Sequence, residues 1–334
     1  MIKKILDTLE SAENWLILAH EKPDGDSLGC AVALTYFGAR RSKNVLLGCP
    51  DPCPDRYAFL LNNIECIEMR SMPYGFPGRH GVVICVDTSK SSRSVPGLLS
   101  GAVECPIINI DHHKDNERYG LINWVDATAS ATGEMVTDLL SQSQWGIELN
   151  EAIALYVAIV SDNGSFSFAS TTLKSHNCAM KLLNAGVSPN EIAEKLESNL
   201  SAEVLRLWGR AMLRSETFAH GICAICWITH DDFKETGTSR QDTENLVNFL
   251  LRVKGVKLAA LCSETESGDA GRREVRVNIR ARAPFNAREV ANSFGGGGHD
   301  LASGCTLQIP ITEAIKALRD KMEKHVSTRF PAHQ

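Results

Sequence analysis

The residues best suited to chemistry lie in one stretch, His20-Glu-Lys-Pro-Asp24-Gly-Asp26-Ser-Leu-Gly29, directly after an apolar run at 15–19. A strand that ends in His-x-x-x-Asp-x-Asp delivers one imidazole and two carboxylates into a turn, and Pro23 and Gly25 force that turn. Asp24 and Asp26 stand two apart, so in an extended segment they point the same way. Two like charges that close repel unless a cation sits between them. Nitrogen and carboxylate oxygen together suit Mn²⁺ or a similar divalent ion better than a structural zinc. The plain alternative is a polar loop whose aspartates cap the next helix.

Other chain segments end in the same residue types. An apolar run at 82–86 ends on Asp87, and another at 107–110 ends on Asp111-His112-His113. A helical pattern at 150–161 runs into Asp162-Asn163-Gly164. His20, Asp24, Asp26, Asp87, Asp111, His112, His113 and Asp162 form an inventory for two divalent ions bridged by one carboxylate. Such sites generate a hydroxide at neutral pH and clamp both oxygens of an in-line phosphoryl displacement.

The elements that must position these groups read as continuous apolar strands alternating with helices. Strands are expected at 15–19, 44–47, 82–86 and 107–110, and helices at 1–13, 27–41, 131–142 and 150–161, with Ser27 capping the second. This pattern belongs to a mostly parallel α/β sheet with helices on both faces, whose ligands bind beyond the carboxyl ends of the strands. At 334 residues the chain exceeds a single typical core. We expect a catalytic domain over 1–185, a helical linker over 186–205 and a smaller α/β domain over 206–334. In the last, strands are expected at 222–228, 256–261 and 275–281, and helices at 243–253, 286–294 and 312–325.

Composition narrows the partners. A net charge of −5 excludes a general polyanion binder, so nucleic-acid affinity must be local. No apolar run reaches membrane-spanning length, and the first residues lack a signal-peptide core. The 11 cysteines, many in apolar runs, read as reduced, buried thiols of a cytoplasmic protein. Cys223-Ala-Ile-Cys226 resembles a zinc or redox pair, but residues three apart on a strand face opposite ways.

The second domain reads as an anion binder. Val275, Val277, Ile279 and Ala281 fall on one strand face; Arg276, Asn278, Arg280 and Arg282 fall on the other. Guanidinium groups can fork onto phosphate. Gly295–Gly298 with His299 follows, and glycines let backbone N–H groups approach a phosphate or base. The run is neither a P-loop nor a dinucleotide fingerprint, because no Lys-Ser or Lys-Thr follows it and no strand precedes it.

Taken together, His20-x-x-x-Asp24-x-Asp26, Val86-Asp87, Asp111-His112-His113 and Asp162-x-Gly164 resemble the DHH phosphoesterase superfamily. The segments from Val275 to Arg280 and from Phe294 to Gly304 resemble its DHHA1 domain. The resemblance covers nearly the whole chain, and its layout is similar to the nanoRNase/pAp-phosphatase branch. It implies that His20, Asp24 and Asp87 hold one metal, and that Asp26, Asp87, His112 and Asp162 hold the other. Two Mn²⁺, or another divalent metal, are implied. His113 would face the substrate phosphate and donate to it or to the leaving oxygen, with Asp111 orienting the histidines. Arg276, Asn278, Arg280, Gly297, Gly298 and His299 would bind substrate. Two departures stand out: Asn163 replaces the family's usual Thr, and Asn278 and Ala281 replace the serines flanking its arginine motif.

The expected activity is metal-dependent hydrolysis of very short RNA to mononucleotides, together with removal of the 3′-phosphate of adenosine 3′,5′-bisphosphate. Partners would be short RNA, dinucleotides and nucleotide phosphates, with no membrane; if the chain assembles, a homodimer is expected. Cleavage of linear or cyclic dinucleotides at the same site is the first alternative. A metal-free nucleotide-binding regulatory module is the alternative from another class, and it requires a lost ligand.

Overall fold

Four of the five residues of β1 (Asn14–Leu18), Trp15 to Leu18, are fully buried, and a strand without an exposed face must lie inside a sheet covered on both sides. The computed structural model describes residues 1–99, 104–197, 200–243, 245–267 and 272–329. The chain divides into two compact units, Met1–Asn199 and Leu200–Gln334.

In the first unit, β1 is joined by β2 (Asn44–Cys49), β3 (Cys66–Glu68), β4 (Gly81–Val86), β5 (Ile107–Asp111) and β6 (Ile122–Val125). They lie in the order β3-β2-β1-β4-β5-β6, and every pairing is parallel. The chain builds outward from β1 in one direction and then from β4 in the other. The junction of β1 and β4 is therefore a topological switch point, where open parallel sheets bind ligands. Register levels the strand ends there: Leu18 pairs with Cys85 and Val86 with Ile110. His20 and Asp87 thus leave the sheet at one height, with Asp111 beside them.

The helices are α1 (Ile2–Ser11), α2 (Gly25–Ala39), α3 (Thr132–Ser141), α4 (Leu149–Asp162), α5 (Leu173–Asn184) and α6 (Pro189–Glu197). Trp15, Ile17, Val82, Ile84 and Ile108 pack on one face against residues of α2, α3 and α4. On the other face Leu16, Leu18, Val83 and Cys85 pack against Met69, Val95 and Leu98. Among the described residues, cover there comes from connecting segments instead of the regular helices expected, and Pro73, Pro77 and Pro96 interrupt those segments.

Helix α2 is buried almost all round. A Cβ added to Gly29 would lie 2.4 Å from the Ala154 carbonyl oxygen, so only glycine permits this approach of α2 to α4. The helix begins at Gly25, two residues before its expected cap. Asp24 caps it, accepting from the backbone N–H of Asp26 and Ser27 at 3.1 and 3.0 Å. Ser27 is turned to other use: its hydroxyl oxygen accepts the His20 N–H at 3.1 Å.

The second unit contains α7 (Ala202–Leu213), β7 (Glu216–Phe218), β8 (Cys223–Ile228), α8 (His230–Thr236), α9 (Leu246–Leu250), β9 (Leu258–Ser267), β10 (Arg272–Ala281), α10 (Ala287–Asn292), β11 (Gly297–Gly298), β12 (Ala302–Leu307) and α11 (Ile311–Arg329). Its sheet runs β11-β12-β10-β9-β8-β7, antiparallel except between β8 and β9. Val275, Val277 and Ile279 pack with residues of α10 and α11. Cys226, Ala259 and Leu261 pack with residues of α7 and α9. Cys223 and Cys226 serve these two opposite layers, as strand alternation requires. The helix expected over 243–253 is only α9, because Asn245 takes a left-handed conformation, φ +65°; residue 244 lies outside the described residues.

The glycine run is part of a hairpin. Gly297 and Gly298 pair with Gly304 and Ser303, and His299 and Ala302 exchange backbone hydrogen bonds at 2.8 and 3.2 Å. Gly298 has φ +132°, and an added Cβ would lie 2.7 Å from the Ala302 carbonyl oxygen; no side chain fits there.

Candidate active site

The strand ends of the first unit gather six groups expected to hold metal. The His20 Nε2 atom lies 3.7 Å from Asp24 Oδ1 and 3.4 Å from Asp87 Oδ2. The His112 Nε2 atom lies 3.9 Å from Asp26 Oδ2, 3.6 Å from Asp87 Oδ1 and 3.3 Å from Asp162 Oδ2. Asp87 therefore presents one oxygen to each cluster. Each cluster has the span of a single-cation site: ligand atoms of His20, Asp24 and Asp87 lie within 4.8 Å of one another, as do those of Asp26, His112 and Asp162.

The imidazoles are set as ligands. His20 Nδ1 lies 2.6 Å from the Glu21 carbonyl and His112 Nδ1 lies 3.2 Å from the Ala129 carbonyl. A carbonyl accepts only from a protonated nitrogen, so Nδ1 faces the backbone in each ring and Nε2 is the atom turned toward the carboxylates. The floor is buried and the rim open: the side chains of Asp26 and Asp87 are 1% and 3% exposed, Asp162 34% and Asp24 53%.

Charge is in excess on that floor. Burial first, then Asp87, Asp162 and Asp24, push the Asp26 carboxyl well above its ordinary value. Burial and the neighbouring carboxylates lift Asp162 to about 6, with His112 opposing. Burial works against a charged His20, yet Asp24 and Asp87 raise it to about 10. Buried carboxylates that repel each other and two imidazoles whose Nε2 atoms face them suit divalent cations, which compete with protons for such sites. The residues therefore fit a metal.

His113 is placed differently. Asp87 Oδ1 is 3.6 Å from its Nδ1, but Asp111 Oδ1 takes that nitrogen at 2.8 Å. The Asp111 hydrogen bond raises the ring to about 9 against its burial. With Nδ1 committed, Nε2–H is left as a donor. Asp111 is fully buried; its Oδ1 also accepts the His112 backbone N–H at 2.9 Å.

Sequence reasoning missed two partners of this floor. Thr132 and Gly133, the first residues of α3, donate backbone N–H groups to Asp26 at 2.6 and 2.8 Å. Thr132 Oγ1 donates to Asp87 Oδ1 at 3.0 Å. A helix N-terminus suits an anion, and the signal for this one was the short run Ser130-Ala131-Thr132-Gly133 before an apolar helix. Asn163 is fully buried; its Oδ1 accepts the Phe166 N–H at 2.8 Å and shapes the turn after Asp162.

In the second unit Arg276 and Asn278 are exposed on β10 and Arg280 is half-buried. Arg276 Nε is tied to Glu274 at 2.7 Å, and Arg280 Nη1 donates to the Ile279 carbonyl at 3.1 Å. Asn278 pairs across the sheet with Gly304, whose other neighbour is Gly297. The polar strand face and the glycine hairpin are thus adjacent, with His299 exposed where the hairpin turns.

Comparison with known proteins agrees with the motifs. Residues 14–159 match the family model for the DHH family, N-terminal domain, and residues 222–328 match that for the DHHA1 domain. The bifunctional oligoribonuclease and PAP phosphatase NrnA of Thermus thermophilus is 29% identical, over 97% of this chain and 95% of the relative. The protein of the same name from Bacillus subtilis is 26% identical, over 92% and 93%. An exopolyphosphatase-related protein from Bacteroides fragilis, 23% identical, shares the fold with a TM-score of 0.85, over 97% of this chain and 95% of that one.

Proposed function

We propose that this chain, which belongs to the DHH family and carries a DHHA1 domain, is a phosphate-ester hydrolase that degrades very short RNA to mononucleotides and removes the 3′-phosphate of adenosine 3′,5′-bisphosphate. The observation that carries the chemistry is Asp87, whose two oxygens face two imidazoles in two separate clusters. The substrate class follows the names of the Thermus and Bacillus relatives. A metal-free binding module would need a ligand lost or turned away, whereas all six groups converge.

In this reading His20, Asp24 and Asp87 hold one divalent cation, and Asp26, Asp87, His112 and Asp162 hold a second, with Mn²⁺ as the native ion. Bound there, the cations would polarise the phosphate and make water acidic enough to ionise near neutral pH. The chain supplies the rest. The α3 N-terminus fixes Asp26, Thr132 fixes Asp87, and His113 donates from Nε2 to the departing oxygen while Asp111 holds Nδ1. The first unit is the catalytic domain. Arg280, Arg276, Asn278, His299, Gly297 and Gly298 of the second grip the nucleotide through phosphate-directed guanidinium and backbone donors.

Among the described residues no helix is long and apolar enough to cross a membrane. A cytoplasmic setting belongs to the same reading, supported by eleven free thiols of the kind a reducing compartment maintains.

The test is product analysis on a ladder of RNAs from dinucleotide to decanucleotide, with the bisphosphate alongside, in Mn²⁺ and in chelator. Mononucleotide release that is fastest on the shortest strands, and absent in chelator, supports the assignment. Release unaffected by chelator, or confined to long strands, refutes it.

A further inference from the structure

Beneath the His113 ring lies a network of side chains that carry no charge of their own. The Asn116 side-chain amide donates to Asp111 Oδ2, the oxygen that neither histidine uses. It also lies 2.8 Å from Asn109 Oδ1. Asn109 is fully buried in β5, and its own amide reaches the Thr88 carbonyl at 3.1 Å and the Tyr119 hydroxyl at 3.2 Å. The Tyr119 hydroxyl donates to the same Thr88 carbonyl at 3.1 Å. Asn116 is itself pinned, because its Oδ1 accepts the Arg118 N–H at 2.6 Å.

Asp111 thus has both oxygens engaged and one orientation open to it. A fully buried carboxylate with an unmade hydrogen bond would turn toward any donor in reach, and the donors nearby include both histidines. Asn116 removes that freedom from below, so Oδ1 stays under His113 Nδ1. The same network reaches the carbonyl of Thr88, the residue after Asp87, which is itself held at φ +53°, where L side chains are strained.

We propose that Asn116 is a positioning residue for His113, acting through Asp111 and supported by Asn109 and Tyr119. The inference rests on the reading of His113 as the donor to the departing oxygen. Its consequence depends on the leaving group. A ribose alkoxide needs a well-aimed proton; a nitrophenolate does not.

The test compares turnover of a dinucleotide with that of bis(4-nitrophenyl) phosphate in wild type, Asn116→Ala and His113→Ala, with metal content and melting temperature measured on each. We expect Asn116→Ala to lower kcat on the dinucleotide about 10–100-fold, as loss of an outer partner does. KM, metal content and aryl-ester turnover should stay near wild type. His113→Ala should show the same selectivity, more strongly. Asn116→Ser, which keeps the volume small, reads the same ratio if the alanine variant does not fold. Equal losses on both substrates in the Asn116 variants, or none on either, overturn the positioning role. A His113→Ala variant without leaving-group dependence overturns the donor reading beneath it. A wild type inactive on both substrates overturns the hydrolase reading itself.

Discussion

His20 Nε2 lies 3.4 Å from Asp87 Oδ2, so the imidazole after the first strand meets the carboxylate after the fourth across the switch point of the sheet. The second oxygen of Asp87 faces His112. Asp87→Ala removes a ligand from both clusters at once. Activity should be abolished, and metal content, read by atomic emission on the dialysed protein, should fall at both sites. A variant that keeps full metal content and near-normal turnover would show that Asp87 bridges nothing.

His113→Ala should keep its metal, because His113 Nδ1 is spent on Asp111. Loss of one preorganised donor lowers kcat by about 10²–10³-fold. Metal loss in this variant would mean that His113 is a ligand and that its role has been exchanged with that of His112.

The metal-free first unit should weaken as pH rises. Asp26 and Asp162 have folded values above their unfolded ones, Asp162 at about 6 against about 4 for a free aspartate. A raised carboxyl binds more protons folded than unfolded, so its contribution to stability is lost as pH climbs from the unfolded value through the folded one. The window is therefore about pH 4 to 6, extending upward through Asp26. A saturating cation reverses the trend, adding about 2.7 kcal/mol at a hundredfold excess over Kd. Thermal melts with and without Mn²⁺ across this range read the effect; a metal-free melting point that rises through pH 6 contradicts it.

Arg280→Ala and His299→Ala should leave metal content unchanged and lower kcat/KM for dinucleotides by at least about tenfold, the loss of one charge-assisted hydrogen bond. Turnover of bis(4-nitrophenyl) phosphate, which lacks the remote nucleotide, should change little, because remote binding energy is spent only by a substrate that has the remote part. Equal losses on both substrates would assign these residues a structural role.

The gathering of these polar groups at one edge was legible because they close apolar runs. His20, Asp87 and Asp111 follow buried strands, and Asp162 ends a buried helix, so chemistry and periodicity pointed to one edge. The hold on Asp26 was not legible, since Thr132 and Gly133 act through peptide N–H groups that every residue possesses. Asn109 carries a signal of its own: a polar residue inside Ile107-Ile-Asn-Ile110 needs buried partners. In the second unit, β12 escaped notice because Ala302, Ser303 and Gly304 lack the bulk that marks a strand. The hairpin with Gly297 and Gly298 is set by pairing across the turn at His299, which no local pattern encodes. Loop cover on one face of the first sheet was foreshadowed by Pro73, Pro77 and Pro96.

The central claim is that one carboxylate serves two cations. It is tested most directly by a crystal structure of the protein soaked in Mn²⁺, with anomalous scattering recorded at the manganese edge. Two peaks are expected, one among His20, Asp24 and Asp87 and one among Asp26, His112 and Asp162, each in contact with a different oxygen of Asp87. A single peak at saturating Mn²⁺, or two peaks with Asp87 touching only one, would contradict the account.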